Sequence, residues 1–222
     1  MTIRVFLADD QQLVRAGFRM LIESQDDMSV AGEAANGAEA CEALTVTGAD
    51  VVLMDVRMPR MDGVEATKQL AERGDVPRIL VLTTFDLDEY VYAGLRAGAS
   101  GFLLKDTPPE MLLGAIRDVH RGDSVVAPSA TRRMLERFAE AFPSEDDGAP
   151  DARLDDLTDR EREVLELIGQ GLSNHEIAEK LVLAEATVKT HIGRVLAKTG
   201  SRDRVQLVVL AYDTGLVAPN AR

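Results

Sequence analysis

The chain has 222 residues, 45% hydrophobic and 4% aromatic with no Trp, so its core must be built from Val, Leu, Ile and Ala, and its length suits two ordinary domains or one large one. A formal net charge of -13 argues against nucleic acid as a partner when taken whole; yet residues 1–154 hold 16 Lys+Arg against 27 Asp+Glu and residues 155–222 hold 9 against 11, which leaves room for a basic face in the C-terminal piece. A lone Cys41 excludes an internal disulfide and fits a reducing compartment, and no apolar run approaches the ~20 residues of a membrane span or forms a signal peptide, so the expected location is cytoplasmic, with no membrane partner.

Short apolar runs alternate with helical patterns from the start: Ile3–Ala8, Met28–Ala34, Val51–Met54, Ile79–Leu82 and Gly101–Leu104 read as strands. Between the first two, Val14, Gly17, Phe18, Leu21 and Ile22 follow helical spacing; after the last, Leu112, Ala115, Ile116 and Val119 do the same. Strand–helix repeated five times implies an α/β fold with a parallel sheet covered on both faces. The pattern ends near residue 122. Residues 123–155 read as a linker: a helix is expected near 128–142, with Met134, Phe138 and Phe142 four apart, followed by the acidic, Pro- and Gly-containing 143–155.

From 156 to 222 the chain reads as helices only. Thr158 and Glu161 form a capping box ahead of Val164, Leu165 and Ile168, and Ser173 and Glu176 form a second ahead of 174–181. A third helix is expected over about 185–198, ending near Gly200, and a fourth over about 203–214.

In an open parallel sheet, ligands gather at the carboxyl ends of the strands. There the first strand places Asp9 and Asp10, the third Asp55, the fourth Thr83 and the fifth Lys105. Three carboxylates at one edge repel unless a cation lies between them, and Mg²⁺ is satisfied by a few carboxylates plus waters and phosphate oxygens. Such a site can accept a phosphoryl group, with Asp55 attacking phosphorus in line and Lys105 neutralising charge on the phosphoryl oxygens. A nucleotide- or flavin-binding domain of similar topology would need a Gly-rich loop after the first strand, where Asp9 and Asp10 stand. A carboxylate-based phosphatase would usually need a second acid two residues after the nucleophile, and that residue is Arg57.

The stretches FLADDQ, VVLMDVRMPRMDG, VLTT and AGASGFLLKD resemble the receiver domain of two-component response regulators over roughly residues 3–120. The resemblance implies a doubly wound, five-stranded, flavodoxin-like sheet in the order 2-1-3-4-5. Within it, Asp55 would be the phosphoacceptor, and Asp9, Asp10, Asp55 and the Arg57 backbone carbonyl would form the Mg²⁺ site. Thr83 and Phe102 would be the switch pair, and Pro59 and Gly63 would shape the loop beyond Asp55. Asp106 departs from the proline that many receivers carry after the lysine.

The stretch from Leu157 to Gly200 resembles the helix-turn-helix domain of the LuxR type, and with the receiver it gives the NarL/FixJ arrangement. A short helix, a tight turn and a longer helix suit a major groove. Residues 187–204 carry Lys189, Arg194, Lys198, Arg202 and Arg204 against Asp203, the most basic stretch in the chain. By the resemblance Lys189 and Thr190 would approach base edges, and Thr187, Arg194 and Lys198 would contact phosphates. Ala184 and Gly193 depart from the family, the first where a capping serine is common. The fourth helix carries more apolar surface than one packing face needs, so Val205, Val208, Val209 and Tyr212 are expected to form a homodimer contact, the alternative being deeper burial inside the domain. The implied protein is a phosphorylation-activated transcriptional regulator, a switch and not a turnover enzyme, whose partners are a sensor histidine kinase, double-stranded promoter DNA and a second copy. The alternative is a receiver-like DNA-binding protein that acts without phosphorylation.

Overall fold

The structure, a computed structural model, describes residues 2–73, 77–83, 88–122 and 152–217. They fall into two compact units, one before and one after the junction at residues 125 and 126. The expected helix near 128–142 lies outside the described residues.

The first unit alternates β1 (Ile3–Ala8), α1 (Gln12–Glu23), β2 (Met28–Ala34), α2 (Gly37–Ala43), β3 (Val51–Asp55), α3 (Gly63–Ala71), β4 (Arg78–Thr83), α4 (Asp88–Arg96), β5 (Gly101–Leu104) and α5 (Pro109–Arg121). The five strands are parallel, in the order β2-β1-β3-β4-β5. Every residue of β3 is buried, as a central strand covered on both faces requires. Alternate side chains feed two half-cores. Val5, Leu7, Leu53, Leu80 and Leu82 pack with Ile22 of α1 and Leu112, Ile116 and Val119 of α5. Phe6, Val52, Met54, Ile79 and Val81, also buried, take the intervening positions. Cys41 is buried, its Sγ 3.7 Å from the Ala66 carbonyl, and burial pushes its thiol up.

Side-chain caps start α2 and α3: Asn36 accepts from the Glu39 N–H at 3.0 Å and Asp62 from that of Glu65 at 2.8 Å. On α1 only Ile22 is fully buried, while Phe18 and Leu21 pack partly against the core. Gly17, which fits the apolar spacing, is exposed instead, with nothing within 4 Å of where a Cβ would stand.

The second unit comprises a 3₁₀ turn (Ala152–Leu154), α6 (Asp159–Gly169), α7 (Asn174–Leu181), α8 (Glu185–Thr199) and α9 (Arg204–Asp213). Both capping boxes form with reciprocal bonds. Leu154, within the segment whose composition reads as linker, is buried, and its carbonyl accepts from Arg162 Nη2 at 3.1 Å; the helical unit therefore draws in chain from before residue 156.

The expected dimer contact on α9 needs correction. Val205, Val208 and Val209 are all buried, together with Leu207, Leu210 and Ala211. The helix is apolar on several sides because its own unit encloses it. Gly169 of α6 lies so near that a Cβ there would stand 2.7 Å from the Ala211 Cβ. Tyr212 is half-buried.

Candidate functional site

The register sets the site. Leu7 pairs with Leu53, and Asp55 with Leu82, so Asp9, Asp55 and Thr83 finish neighbouring strands at one edge. The Lys105 N–H donates to the Thr83 carbonyl at 2.8 Å and ties the end of β5 to that of β4. Lys105 Nζ lies 2.7 Å from Asp9 Oδ2 and 2.8 Å from Asp55 Oδ2. Asp9, Asp55 and Thr83 are buried and Asp10 is exposed, which leaves one open side to the pocket.

Burial raises the pKa of Asp55, and the neighbouring Asp9 charge adds to this, against the stabilising bonds from Lys105 and the Arg57 backbone N–H. Burial works against the Lys105 ammonium, but bonds to Asp55 and Asp9 outweigh it and raise its pKa. Asp9, Asp10 and Asp55 each offer an oxygen, all within 4.8 Å of one another. Three carboxylates against one ammonium call for further positive charge, and an all-oxygen set with an open side fits Mg²⁺.

The loop after Asp55 is built around close backbone approach. A Cβ on Gly63 would stand 2.0 Å from the Asp55 carbonyl oxygen, and the Gly63 N–H donates to the Val56 carbonyl at 2.9 Å. Arg60 turns the loop with φ 67°, and the Met61 N–H donates to the Pro59 carbonyl at 2.8 Å. The Arg57 guanidinium stands 5.5 Å from the centre of the Tyr90 ring, within cation–π range. Phe102 is half-buried on β5, paired in register with Val81.

One residue of this site escapes a reading of motifs. Arg15 Nη1 donates to the Asp9 carbonyl at 2.5 Å and its Nε to Glu33 at 3.2 Å, fastening the acidic end of β1 to β2. Its only signal in the sequence is a basic residue about a turn into the helix that follows the acid pair.

In the second unit α7, the turn and α8 form the helix-turn-helix. Val188, Ile192 and Val195 bury one side of α8, and Thr187, Lys189, Thr190, Gly193 and Arg194 are exposed. Ala184 gives α8 no side-chain cap. Lys198 and Arg204 are committed within the domain. Lys198 Nζ lies 2.6 Å from Glu161 Oε2 and 3.0 Å from the Asp156 carbonyl, so its expected role at a phosphate competes with a structural one. Arg204 donates to Asn174 Oδ1 at 2.7 Å and to the Leu172 carbonyl, and burial lowers its pKa to about 10. The bond from Lys198, helped by the Thr158 N–H, lowers the Glu161 pKa to about 2. The capping box made Glu161 visible in the sequence, but nothing local identified its second partner.

Comparison with known proteins agrees with this geometry. Residues 5–117 match the response regulator receiver domain and residues 155–211 the luxR family of bacterial regulatory proteins. The chain is 46% identical over 215 residues to YxjL, an uncharacterized transcriptional regulatory protein of Bacillus subtilis (strain 168), covering 97% of each chain. It is 39% identical over 222 residues to the response regulator protein VraR of Staphylococcus aureus, covering 98% of this chain and 100% of VraR. The crystal structure of ChrA, a response regulator in a heme-sensing two-component system, aligns with a TM-score of 0.52 at 37% identity over 97% of this chain and 99% of its own. No helix among the described residues is long and apolar enough to cross a membrane. The five-stranded sheet with its acidic edge and the helix-turn-helix that follows belong to one kind of protein: the chain is a transcriptional regulator of the NarL/FixJ response-regulator family, a receiver domain joined to a LuxR-type DNA-binding domain.

Proposed function

We propose that Asp55 accepts a phosphoryl group from a sensor histidine kinase and that this controls promoter binding by the second unit. The observation that carries the reading is the Lys105 ammonium, within 2.8 Å of both Asp55 and Asp9 at the shared strand edge. The Asp55 carboxylate, oriented by the Arg57 N–H and Lys105, attacks phosphorus in line. The new Asp55 O–P bond forms as the phosphorus–nitrogen bond to the kinase histidine breaks, and that nitrogen keeps the electron pair. Lys105 then neutralises charge on the phosphoryl oxygens. Asp9, Asp10, Asp55 and the Arg57 carbonyl would hold Mg²⁺, which when bound supplies further charge neutralisation at those oxygens. The Thr83 hydroxyl donates to a phosphoryl oxygen, and the half-buried Phe102 ring moves inward behind it, altering the face built by β4, α4, β5 and α5. The receiver carries out only its own phosphorylation and dephosphorylation.

In the second unit the exposed side of α8 enters the major groove. Lys189 and Thr190 approach base edges, and Thr187 and Arg194 approach phosphates. Lys198 reaches DNA only by leaving Glu161. Two copies on a two-half-site promoter gain through effective concentration. The work is done in the cytoplasm, by a receiver expected over 1–122, a linker expected over 123–155 whose last residues, around Leu154, pack into the helical unit, and a DNA-binding domain expected over 156–222.

The test is to add acetyl phosphate, or beryllofluoride with Mg²⁺, to the full chain and measure its size in solution and its DNA affinity. Both shift in the wild type and neither shifts in Asp55→Asn. An unchanged DNA affinity in the wild type would instead favour regulation without phosphorylation.

A further inference from the structure

The exposed side of α8 has a centre and two flanks. At about 100° per residue, Ala186, Thr190 and Gly193 lie opposite the buried line of Val188, Ile192 and Val195, with Lys189 on one flank and Arg194 on the other. Thr190 thus carries the largest side chain at the centre of this face. Beside it, nothing stands within 4 Å of where a Gly193 Cβ would be, so a flat surface can come close to Thr190.

The Thr190 hydroxyl is already engaged. Its Oγ1 donates to the Ala186 carbonyl at 2.9 Å, the bond back along the helix that threonine makes readily. To donate to a base edge, the hydroxyl would have to give up this bond. With its proton committed, the hydroxyl can still accept from an adenine or cytosine amino group, a contact that Thr190→Val removes, while the γ-methyl meets a ligand at no cost to the Ala186 bond. Of the four base-pair edges in a major groove, the one that complements a methyl is the thymine 5-methyl group.

We propose that Thr190 is a specificity-determining residue that selects thymine through its γ-methyl, while hydrogen-bonded base readout falls to Lys189. This rests on the reading of α8 as the helix that enters the groove. One methyl–methyl contact buries about as much apolar surface as a methylene, which corresponds to about a four-fold change in affinity per half-site.

The experiment uses the full chain with beryllofluoride and Mg²⁺, and duplexes recovered by it from a random-sequence pool. Each thymine of a half-site is replaced in turn by deoxyuridine, which removes only the 5-methyl group. One replacement in a single half-site weakens wild-type binding about four-fold, and the same replacement in both half-sites about sixteen-fold. Thr190→Val, which keeps the methyl and loses the hydroxyl, retains both the affinity and this penalty. Thr190→Ser, which does the reverse in both copies, binds a two-half-site duplex about sixteen-fold more weakly and is indifferent to the replacement. The proposal is overturned if the wild type tolerates deoxyuridine at every position, or if Thr190→Val loses as much affinity as Thr190→Ala. Lys189→Ala and Arg194→Ala separate two kinds of failure. If both leave affinity unchanged, α8 does not read DNA and the underlying reading falls with the proposal; if they weaken binding while deoxyuridine stays neutral, only the assignment to Thr190 falls.

Discussion

Gly63→Ala should damage the first unit far beyond what a single methyl suggests, whereas Gly17→Ala, a chemically identical change, should stabilise it. The Cβ at Gly63 would stand 2.0 Å from the Asp55 carbonyl oxygen, 2.9 Å from its carbon and 3.1 Å from Met54 Cγ. Ordinary contact begins near 3.4 Å, so the nearest atom would have to retreat by about 1.4 Å. That atom is backbone at the end of a central buried strand, where no rotamer change can relieve the overlap. Overpacking of this kind costs about 1–3 kcal/mol and sometimes more; here the upper end applies, and a loss of about 3 kcal/mol corresponds to a melting point lower by roughly 10 °C in a domain of this size. Gly17 lies mid-helix with open space around its Cβ position, so alanine there adds up to about 1 kcal/mol. Calorimetry of the full chain separates the receiver transition from that of the helical unit, and beryllofluoride-dependent DNA binding reports the pocket. If Gly63→Ala melts within a degree of the wild type and keeps its beryllofluoride response, the close-approach argument is wrong.

The Glu161 pKa falls from 4.5 to about 2 in the folded state; a depressed carboxylate stabilises the fold above the unfolded value, and that contribution disappears as pH falls from about 4.5 to about 2. Acid unfolding of the helical unit followed by circular dichroism should therefore be shallower in this window for Lys198→Met, and identical slopes would refute the pairing. Val182, which ends α7 at φ 54° and is 90% exposed, holds a left-handed conformation costly for a β-branched residue; Val182→Gly should raise stability by about 1 kcal/mol in urea titration, and a loss would show that its side chain contributes more than its backbone costs. Ala184→Ser should supply the side-chain cap that α8 lacks, adding about 1 kcal/mol in the same titration, with no gain expected if the Thr187 N–H already has a sufficient partner in the Ala184 carbonyl.

The strands were legible because a doubly covered sheet demands continuous apolar runs, and the observed β3 and β4 exceed the expected runs only at their ends, taking in Asp55, Arg78 and Thr83. The boundaries of α7 were legible to the residue because a capping box is a local device: Ser173 and Glu176 bond each other's backbone within one turn. The acid, hydroxyl and lysine positions were legible because strand ends in such a sheet share one edge.

What a side chain far along the chain does with a charge or an apolar surface is a different kind of question. By sequence, Lys198 and Arg204 belong to a basic run, yet one reaches back to Glu161 and the other to Leu172 and Asn174. Val205, Val208 and Val209 form an apolar surplus only until helices distant in sequence enclose them. Periodicity, caps and strand ends follow from neighbours a few residues away, so the order of residues alone determined the elements and the acidic edge. Which cations stay free for a partner, and which hydrophobes are spent on the domain's own interior, depends on surfaces that meet only after the chain has folded, and only the tertiary structure decided it.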